Sequence, residues 1–326
     1  MGKDLSERIA ASAKVDLDHW GTPANSLSFS ILDLLRRKSD DIPKLNAWLG
    51  ALRQITTGIH LKRSIDSFID QHADDADIAQ MGKLMIALRI VEAEARADAL
   101  RLSDRGRLNL KNPVLEASWL DQFASMLFDG LRADALEDLG ENLAVICFNY
   151  DRCIEHYLTH ALINTYSVTD HEAARLVDRL NIVHPYGKLG SLGKVPFGPQ
   201  NPDFWAISNN LKTFSESADT EIVEKTKAAI LDAEQLVFLG FSFGRQNMEL
   251  MTGADLHIRN PGKPAYASGF GVYEQQVDEV SRQIEQLYGH PLKLRRPSGH
   301  SVYTSIEVNV KARALLEVHW HNIMAG

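Results

Sequence analysis

The chain has little cysteine, no long apolar run and no apolar leader at its N-terminus. Only 2 of its 326 residues are cysteine, which is too few for a disulfide framework and indicates a reducing, cytoplasmic setting. Its most apolar stretch, residues 84–91, is interrupted by Arg89 and falls short of the ~18 residues that a membrane span requires. The opening MGKDLSERIA lacks the apolar core of a signal peptide. We therefore expect neither secretion nor a membrane-integral protein.

An excess of basic residues is also lacking. The 35 Lys and Arg residues are outnumbered by 43 Asp and Glu residues, so the formal net charge is −8 and the pI is about 5.8. Because phosphate affinity comes from clustered Lys and Arg, this balance argues against direct nucleic-acid binding. Lys293, Arg295 and Arg296 form one local cluster, which we interpret as solvated surface. The 44% of hydrophobic residues is typical of a folded globular protein with a sizeable core.

The first 140 residues carry a helical pattern. Apolar residues recur there at spacings of three and four, as in Leu45, Trp48 and Leu52. This spacing predicts amphipathic helices that bury one face. The same pattern predicts later helices over residues 78–102 and 117–131.

After residue 141, short β-type runs alternate with amphipathic helices. Predicted strands cover residues 143–149, 182–183, 236–240, 264–271 and 291–294, and predicted helices cover residues 154–164, 171–180, 221–234, 246 onward, 273–287 and 311–323. Such alternation is typical of a parallel sheet that helices cover on both faces. We therefore predict an α/β fold, with a doubly wound, mainly parallel Rossmann-like sheet in residues 141–326 and a large helical N-terminal part in residues 1–140.

Polar side chains follow the first two predicted strands of this half. In open α/β sheets, ligands bind beyond the carboxyl ends of the strands. The first run ends with Asn149 and Asp151, and the second leads to His184 and Tyr186. Asp151 also suits the N-cap of the next helix, Asn149 also suits a turn, and a lone histidine such as His184 is often structural. From the residues alone, these alternatives stay open.

Glycine-rich segments follow the second and third strand ends. Gly187 opens a stretch rich in Gly and Pro, residues 187–202, which is the longest irregular region of the sequence, and long ordered loops often carry function. After the third run, Gly240 and Ser242 form a small-residue turn whose backbone N–H groups could approach a phosphate or ribose. A plain strand-to-helix turn is the alternative there.

These segments, in this order, resemble the sirtuin-like (silent information regulator) superfamily, and in particular its bacterial branch of anti-phage NAD hydrolases. FNYD at residues 148–151 resembles the family's strand ending in Asn-x-Asp, and HPYGKLGSLG at residues 184–193 resembles its strand ending in a His and Gly turn. LVFLGFSF at residues 236–243, with Asn247, resembles its Gly-x-Ser ribose loop. SIDSF at residues 64–68 resembles a short motif of the helical insertion in this branch.

The resemblance implies that NAD is the substrate and binds across the sheet. It implies that Asn149 orders the nicotinamide ribose or a water, that Asp151 lies near the carboxamide, and that His184 is the general base. Ser242 and Asn247 would hold the adenosine-side ribose. The implied NAD-binding residues are Tyr186, Gly187, Gly240, Ser242, Asn247 and Asp66.

The sequence departs from the family pattern in three places. Tyr186 precedes Gly187 where the family has His, so whether His184 or Tyr186 faces the substrate stays open. Sirtuin deacetylases carry two Cys-x-x-Cys pairs, whereas Cys147 and Cys153 are the only cysteines of this chain, so we expect no zinc and disfavour protein deacylation. The family's first strand and Gly-rich phosphate loop do not precede the helical part, and we expect that the chain starts downstream of the true N-terminus.

The predicted function is an NAD glycohydrolase that cleaves NAD to nicotinamide and ADP-ribose in anti-phage defence. The alternative is a catalytically silent module that binds NAD or ADP-ribose within a defence or signalling complex. A homo-oligomer or a partner protein of the defence system fits either function. The sequence leaves open the activating trigger, the oligomeric state and whether the chain is active.

Overall fold

The computed structural model describes residues 2–17, 22–62, 64–217, 221–252, 263–287 and 304–325. It is a mixed α/β structure with parallel strands. The helices in these ranges are α1 (Gly2–Ala13), α2 (Ser26–Arg36), α3 (Ile42–Gly58), α4 (Ile65–Asp70), α5 (Ala76–Ala95), α6 (Pro113–Glu116), α7 (Trp119–Phe128), α8 (Cys153–Tyr166), α9 (Asp170–Arg179), α10 (Phe204–Ser208), α11 (Phe214–Ser217), α12 (Glu221–Asp232), α13 (Arg245–Met251), α14 (Val277–Leu287), α15 (Ala312–Val318) and α16 (Trp320–Met324). Within the same ranges, no helix is both long enough and apolar enough to cross a membrane.

In the part of the chain that the structure describes, the strands form two small parallel sheets. They are β1 (Ala144–Ile146), β2 (Asn181–Val183), β3 (Leu236–Phe238), β4 (Ala265–Gly269) and β5 (Thr304–Val308). β1 pairs with β2, and β4 lies between β3 and β5. Because parallel neighbours need a crossover connection, helices separate all of these strands along the chain.

By their contacts the residues fall into two compact units that do not follow a single boundary in the sequence. Unit 1 comprises residues 1–98, 149–152 and 186–219, and unit 2 comprises residues 99–148, 153–185 and 220–326. Unit 1 is helical and contains α1 to α5, α10 and α11, whereas unit 2 contains the strands β1 to β5.

The core of unit 1 lies among α1, α3 and α5. Its fully buried residues include Leu52, Ile55, Met81 and Leu84, which occur at the helical spacing seen in the sequence. Helix starts are capped as their exposed backbone donors require: the Asp75 carboxylate at the start of α5 accepts from two backbone N–H groups at 2.9 and 3.0 Å.

The core of unit 2 surrounds β3 and β4. Its buried residues include Phe238, Ala267, Ile284 and Leu287, which come from β3, β4 and α14. Ile146 at the end of β1 also packs against this cluster. The two small sheets therefore share one hydrophobic core within unit 2.

Most predicted elements are confirmed, but their ends differ. The apolar run 143–149 forms only the three-residue strand β1, because pairing with β2 stops at Ile146. The predicted helix 311–323 is two helices, α15 and α16, with a break at His319. β5 was not predicted, whereas the strand predicted at 291–294 and the basic cluster at 293–296 lie outside the described residues.

Candidate functional site

The ends of β1 and β2 bring two of the predicted polar segments to the same edge of a sheet. Ile146 is paired with Val183 in the parallel ladder, and the Cys147 N–H donates to the Val183 carbonyl at 2.8 Å. The segments 147–151 and 184–187 therefore both begin at the carboxyl edge of this strand pair. That edge is where ligands bind in open α/β sheets.

His184 and Glu155 form a buried pair in unit 2. The distance between His184 Nε2 and Glu155 Oε1 is 3.1 Å, and both side chains are almost completely buried. Burial alone would lower the pKa of His184, but hydrogen bonds and charge interactions with Cys147 and Glu155 outweigh it and raise the pKa to about 10. The ring therefore carries its second proton at neutral pH. In that state it can donate a proton. The general-base role implied by the resemblance stays a prediction.

Tyr150 and Asp66 anchor the FNYD segment within unit 1. The Tyr150 hydroxyl donates to the Asp66 carboxyl, and the Tyr150 ring packs against Tyr186 with ring centroids 6.1 Å apart. Burial raises the pKa of Asp66, and burial together with the Asp66 charge raises the pKa of Tyr150 well above its usual value. Asp66 and Tyr186 are thus brought together with the residue between Asn149 and Asp151. The roles predicted for Asp66 and Tyr186 in cofactor binding are not tested by these contacts.

Arg152 and Glu94 form a second buried pair that the sequence analysis missed. Their side chains are 0% and 1% exposed, with Arg152 Nη2 2.5 Å from Glu94 Oε2 and Arg152 Nε 3.1 Å from Glu94 Oε1. The guanidinium also donates to the carbonyls of Gly190, Val195 and Pro196. The pair therefore fixes the Gly-rich loop of residues 187–202 to α5.

Backbone geometry explains two glycines of this loop. Gly187 has φ +75°, and a Cβ placed on it would lie 2.0 Å from the Asn210 carbonyl oxygen. Gly198 has φ +57°, and its N–H donates to Glu94 Oε2 at 3.0 Å. Any side chain at these positions would clash or be strained. A structural need for glycine therefore exists at Gly187 whether or not it binds a cofactor.

The loop after β3 carries the third group of predicted residues. Gly240 has φ +60°, and its N–H donates to the Ser268 hydroxyl on β4 at 2.7 Å. Ser242 is exposed, Asn247 is half-buried in α13, and Phe243 between them is buried in the unit 2 core. The loop thus presents the serine to solvent, as a ribose-binding loop requires, and a plain turn has the same geometry.

The structure divides the predicted site residues between the two units. Asp66, Asn149, Asp151, Tyr186 and Gly187 belong to unit 1, and His184, Gly240, Ser242 and Asn247 belong to unit 2. The Asn149 side chain is exposed, whereas His184 and Tyr186 are buried. Among the residues that the structure describes, no group of three or more His, Cys, Asp or Glu side chains is placed to hold a metal ion.

A sequence signal existed for the missed pairs. Glu94 and Glu155 each stand in a helical stretch rich in apolar residues, and a carboxylate is rarely buried without a partner. The signal identifies a buried acid but does not name its partner, because Arg152 is 58 residues from Glu94 and His184 is 29 residues from Glu155.

Comparisons with known proteins identify no family for this chain. Searches against protein-family models, curated proteins and solved structures found no match. The sirtuin-like resemblance therefore rests on the motifs of the sequence alone and stays a prediction.

Proposed function

We propose that the chain is an NAD glycohydrolase that binds NAD and releases nicotinamide and ADP-ribose. The observation that carries the proposal is the register of β1 and β2, which starts the FNYD and HPYG segments at one carboxyl edge of a parallel strand pair. Nucleotides bind at this kind of edge in α/β folds.

The proposed fold is a single doubly wound, Rossmann-like sheet that includes both small sheets. Two contacts support this arrangement. Ile146 and Phe148 pack against the core cluster around β3 and β4, and the rings of Phe148 and Phe241 lie 5.3 Å apart. α12 contacts β2 and precedes β3 in the chain, as a crossover helix does.

The proposed chemistry needs positioning more than covalent help. As nicotinamide leaves, its ribose develops oxocarbenium character, and a positioned water captures it. We assign Asn149 to order the ribose or that water and Asp151 to lie near the carboxamide. Ser242 and Asn247 are assigned to the adenosine-side ribose. The protonated state of His184 suits a hydrogen-bond donor in this reaction.

One observation favours a second candidate, a silent module that binds NAD or ADP-ribose without cleaving it. His184 Nε2 is engaged with a buried carboxylate at 3.1 Å, and a nitrogen held in this way is not available to activate a water. Both candidates place the protein in the cytoplasm, in a defence setting that includes further copies of the chain or a partner protein.

The test is nicotinamide release from NAD by the wild-type chain, by Asn149→Ala and by Asn46→Ala. Asn46 is exposed on α3 in the same unit, so its replacement controls for loss of an exposed amide. We expect release by the wild type and Asn46→Ala, and its loss in Asn149→Ala with an unchanged melting temperature.

Thermal shifts separate the two candidates. A ligand that binds only the native state raises the melting temperature. If NAD raises it without being consumed, the silent module is supported and the hydrolase is rejected. If saturating NAD gives no nicotinamide release and no shift in melting temperature, both candidates are rejected.

A further inference from the structure

Cys147 and His184 occupy neighbouring positions just beyond the paired residues of β1 and β2. The ladder pairs Ile146 with Val183, and the hydrogen bond from the Cys147 N–H to the Val183 carbonyl extends it. The next positions in this register are Cys147 and His184, and paired residues of parallel strands point to the same face. Their side chains interact, since Cys147 is among the groups that raise the pKa of His184.

Glu155 completes a row of three functional groups. It lies in the first turn of α8, and its carboxylate is 3.1 Å from His184 Nε2. A thiol, an imidazole and a carboxylate in contact in this order are the parts that activate a cysteine: the carboxylate orients and charges the ring, and the ring stabilises negative charge on sulfur. All three residues belong to unit 2.

The exposure of the three side chains fits a reaction at sulfur. His184 and Glu155 are almost completely buried, so they are shielded from solvent and hold their geometry. Cys147 is half-buried, so it is the most exposed of the three residues. The outermost group of the row is therefore the nucleophile.

We propose that Cys147 is a reactive thiol that small hydroperoxides oxidise, and that the His184–Glu155 pair stabilises its thiolate and supplies a proton to the leaving oxygen. The thiolate attacks the terminal oxygen of the hydroperoxide, so an S–O bond forms and the O–O bond breaks. Sulfur is oxidised to the sulfenic acid. The peroxide is reduced, and its leaving oxygen takes the imidazolium proton to give water or an alcohol.

This activity uses His184, which the proposed NAD chemistry also uses, but it takes place at a different atom. It needs no nucleotide, and its reacting atom is a sulfur that the NAD mechanism does not use. The chain also contains an internal comparison, because Cys153 is the second of its two cysteines and is likewise half-buried and free of disulfide. It begins α8 in the same unit.

The first experiment measures both cysteines in the intact wild-type chain. Limiting hydrogen peroxide is added at pH 7, and peptide mass spectrometry with a sulfenic-acid probe follows each site. We expect Cys147 to react at least about tenfold faster than Cys153, because the thiolate is the nucleophile. Equal rates, or a faster Cys153, would overturn the proposal without any substitution.

The second experiment separates thiolate stabilisation from proton donation. His184→Gln and Glu155→Gln are compared with the wild type in reactions with hydrogen peroxide and with iodoacetamide, whose iodide leaving group needs no proton. We expect both substitutions to slow both reactions at Cys147, and to slow the peroxide reaction more. Circular dichroism verifies the fold of each variant.

The ratio of the peroxide rate to the iodoacetamide rate at Cys147 distinguishes the possible outcomes. A merely structural His184 would change access to Cys147 for both reagents by the same factor, which would refute the proton-donor role. An increase in the peroxide rate would refute it as well. Cys153 in the same samples reports any general opening of the fold.

Discussion

In unit 1, the carboxylate of Glu94 pairs with a guanidinium, and in unit 2, the carboxylate of Glu155 pairs with an imidazole. Both pairs are buried, and both lie next to a segment that the sequence analysis singled out. They differ in their cations. The Arg152 guanidinium uses its donors on Glu94 and on three loop carbonyls. His184 carries a proton that it can give away.

The two pairs are therefore suited to different tasks. A guanidinium with several fixed acceptors is a structural link between α5 and the Gly-rich loop. An imidazolium beside a thiol is a proton donor at the end of a strand.

Removal of the guanidinium should have the largest effect. In Arg152→Met, Glu94 keeps a buried charge without its cation, so we expect the free energy of unfolding to fall by about 3–5 kcal/mol. Urea titration at pH 7 measures it. In Arg37→Ala the lost ion pair with Asp33 is exposed, and the cost should stay below about 1 kcal/mol. Similar costs for the two variants would show that burial of the Arg152–Glu94 pair does not matter.

The imidazole pair should instead make stability depend on pH. The folded pKa of His184, about 10, lies above the ordinary 6.5. Its stabilisation is therefore fully present below about pH 6.5 and is lost as the pH rises toward 10. We expect a loss of roughly 2–4 kcal/mol across this interval relative to Glu155→Gln, as measured by urea titrations in steps of pH. If the free energy of unfolding depended on pH in the same way in the wild type and in Glu155→Gln, the raised pKa of His184 would be contradicted.

The loop that Arg152 holds can be tested through its own backbone. Gly187→Ala forces a Cβ against the Asn210 carbonyl at positive φ, so we expect a loss of about 2–3 kcal/mol in the free energy of unfolding. Gly193 has no neighbouring atom within 4 Å of an added Cβ, and Gly193→Ala should change stability by less than about 1 kcal/mol. If both variants behaved alike, the loop would not have the tight geometry described here.

The Tyr150–Asp66 contact should give the smallest effect. Tyr150→Phe leaves a buried carboxyl without its donor, and we expect a cost of about 1–2 kcal/mol. Tyr166→Phe removes a hydrogen bond to the Leu131 carbonyl at 3.1 Å and should cost about 0.5–1 kcal/mol. Thermal melts of the two variants measure the difference. A larger cost for Tyr166→Phe would show that Asp66 does not depend on Tyr150.

The sequence predicted the type and order of most elements because apolar periodicity is a local property. It placed the helices of the N-terminal part and the strand–helix alternation after residue 141. It failed at strand ends, since the apolar pattern of residues 143–149 continues beyond the pairing with β2. It also missed β5, whose sequence TSIEV mixes polar and apolar residues.

The candidate site was predictable only in part. Strand-end placement of FNYD and HPYG follows from local pattern, and the register of β1 with β2 confirms their common edge. The pairing of Glu155 with His184, and that of Glu94 with Arg152, depends on contacts between distant parts of the chain. No local pattern encodes the partner of a buried charge, so these pairs appeared only in the structure.

The order in which the chain is synthesised gives the Arg152–Glu94 pair a further consequence. A ribosome completes Glu94 58 residues before Arg152 and 104 residues before Gly198. At a synthesis rate of about 5–20 residues per second, the growing chain contains Glu94 for about 3–12 s before Arg152 is added. The link between α5 and the Gly-rich loop can therefore form only after part of unit 2 has been made, although most of unit 1 is translated first. A fragment that ends at residue 140 would carry Glu94 without either partner, and we expect it to remain incompletely folded.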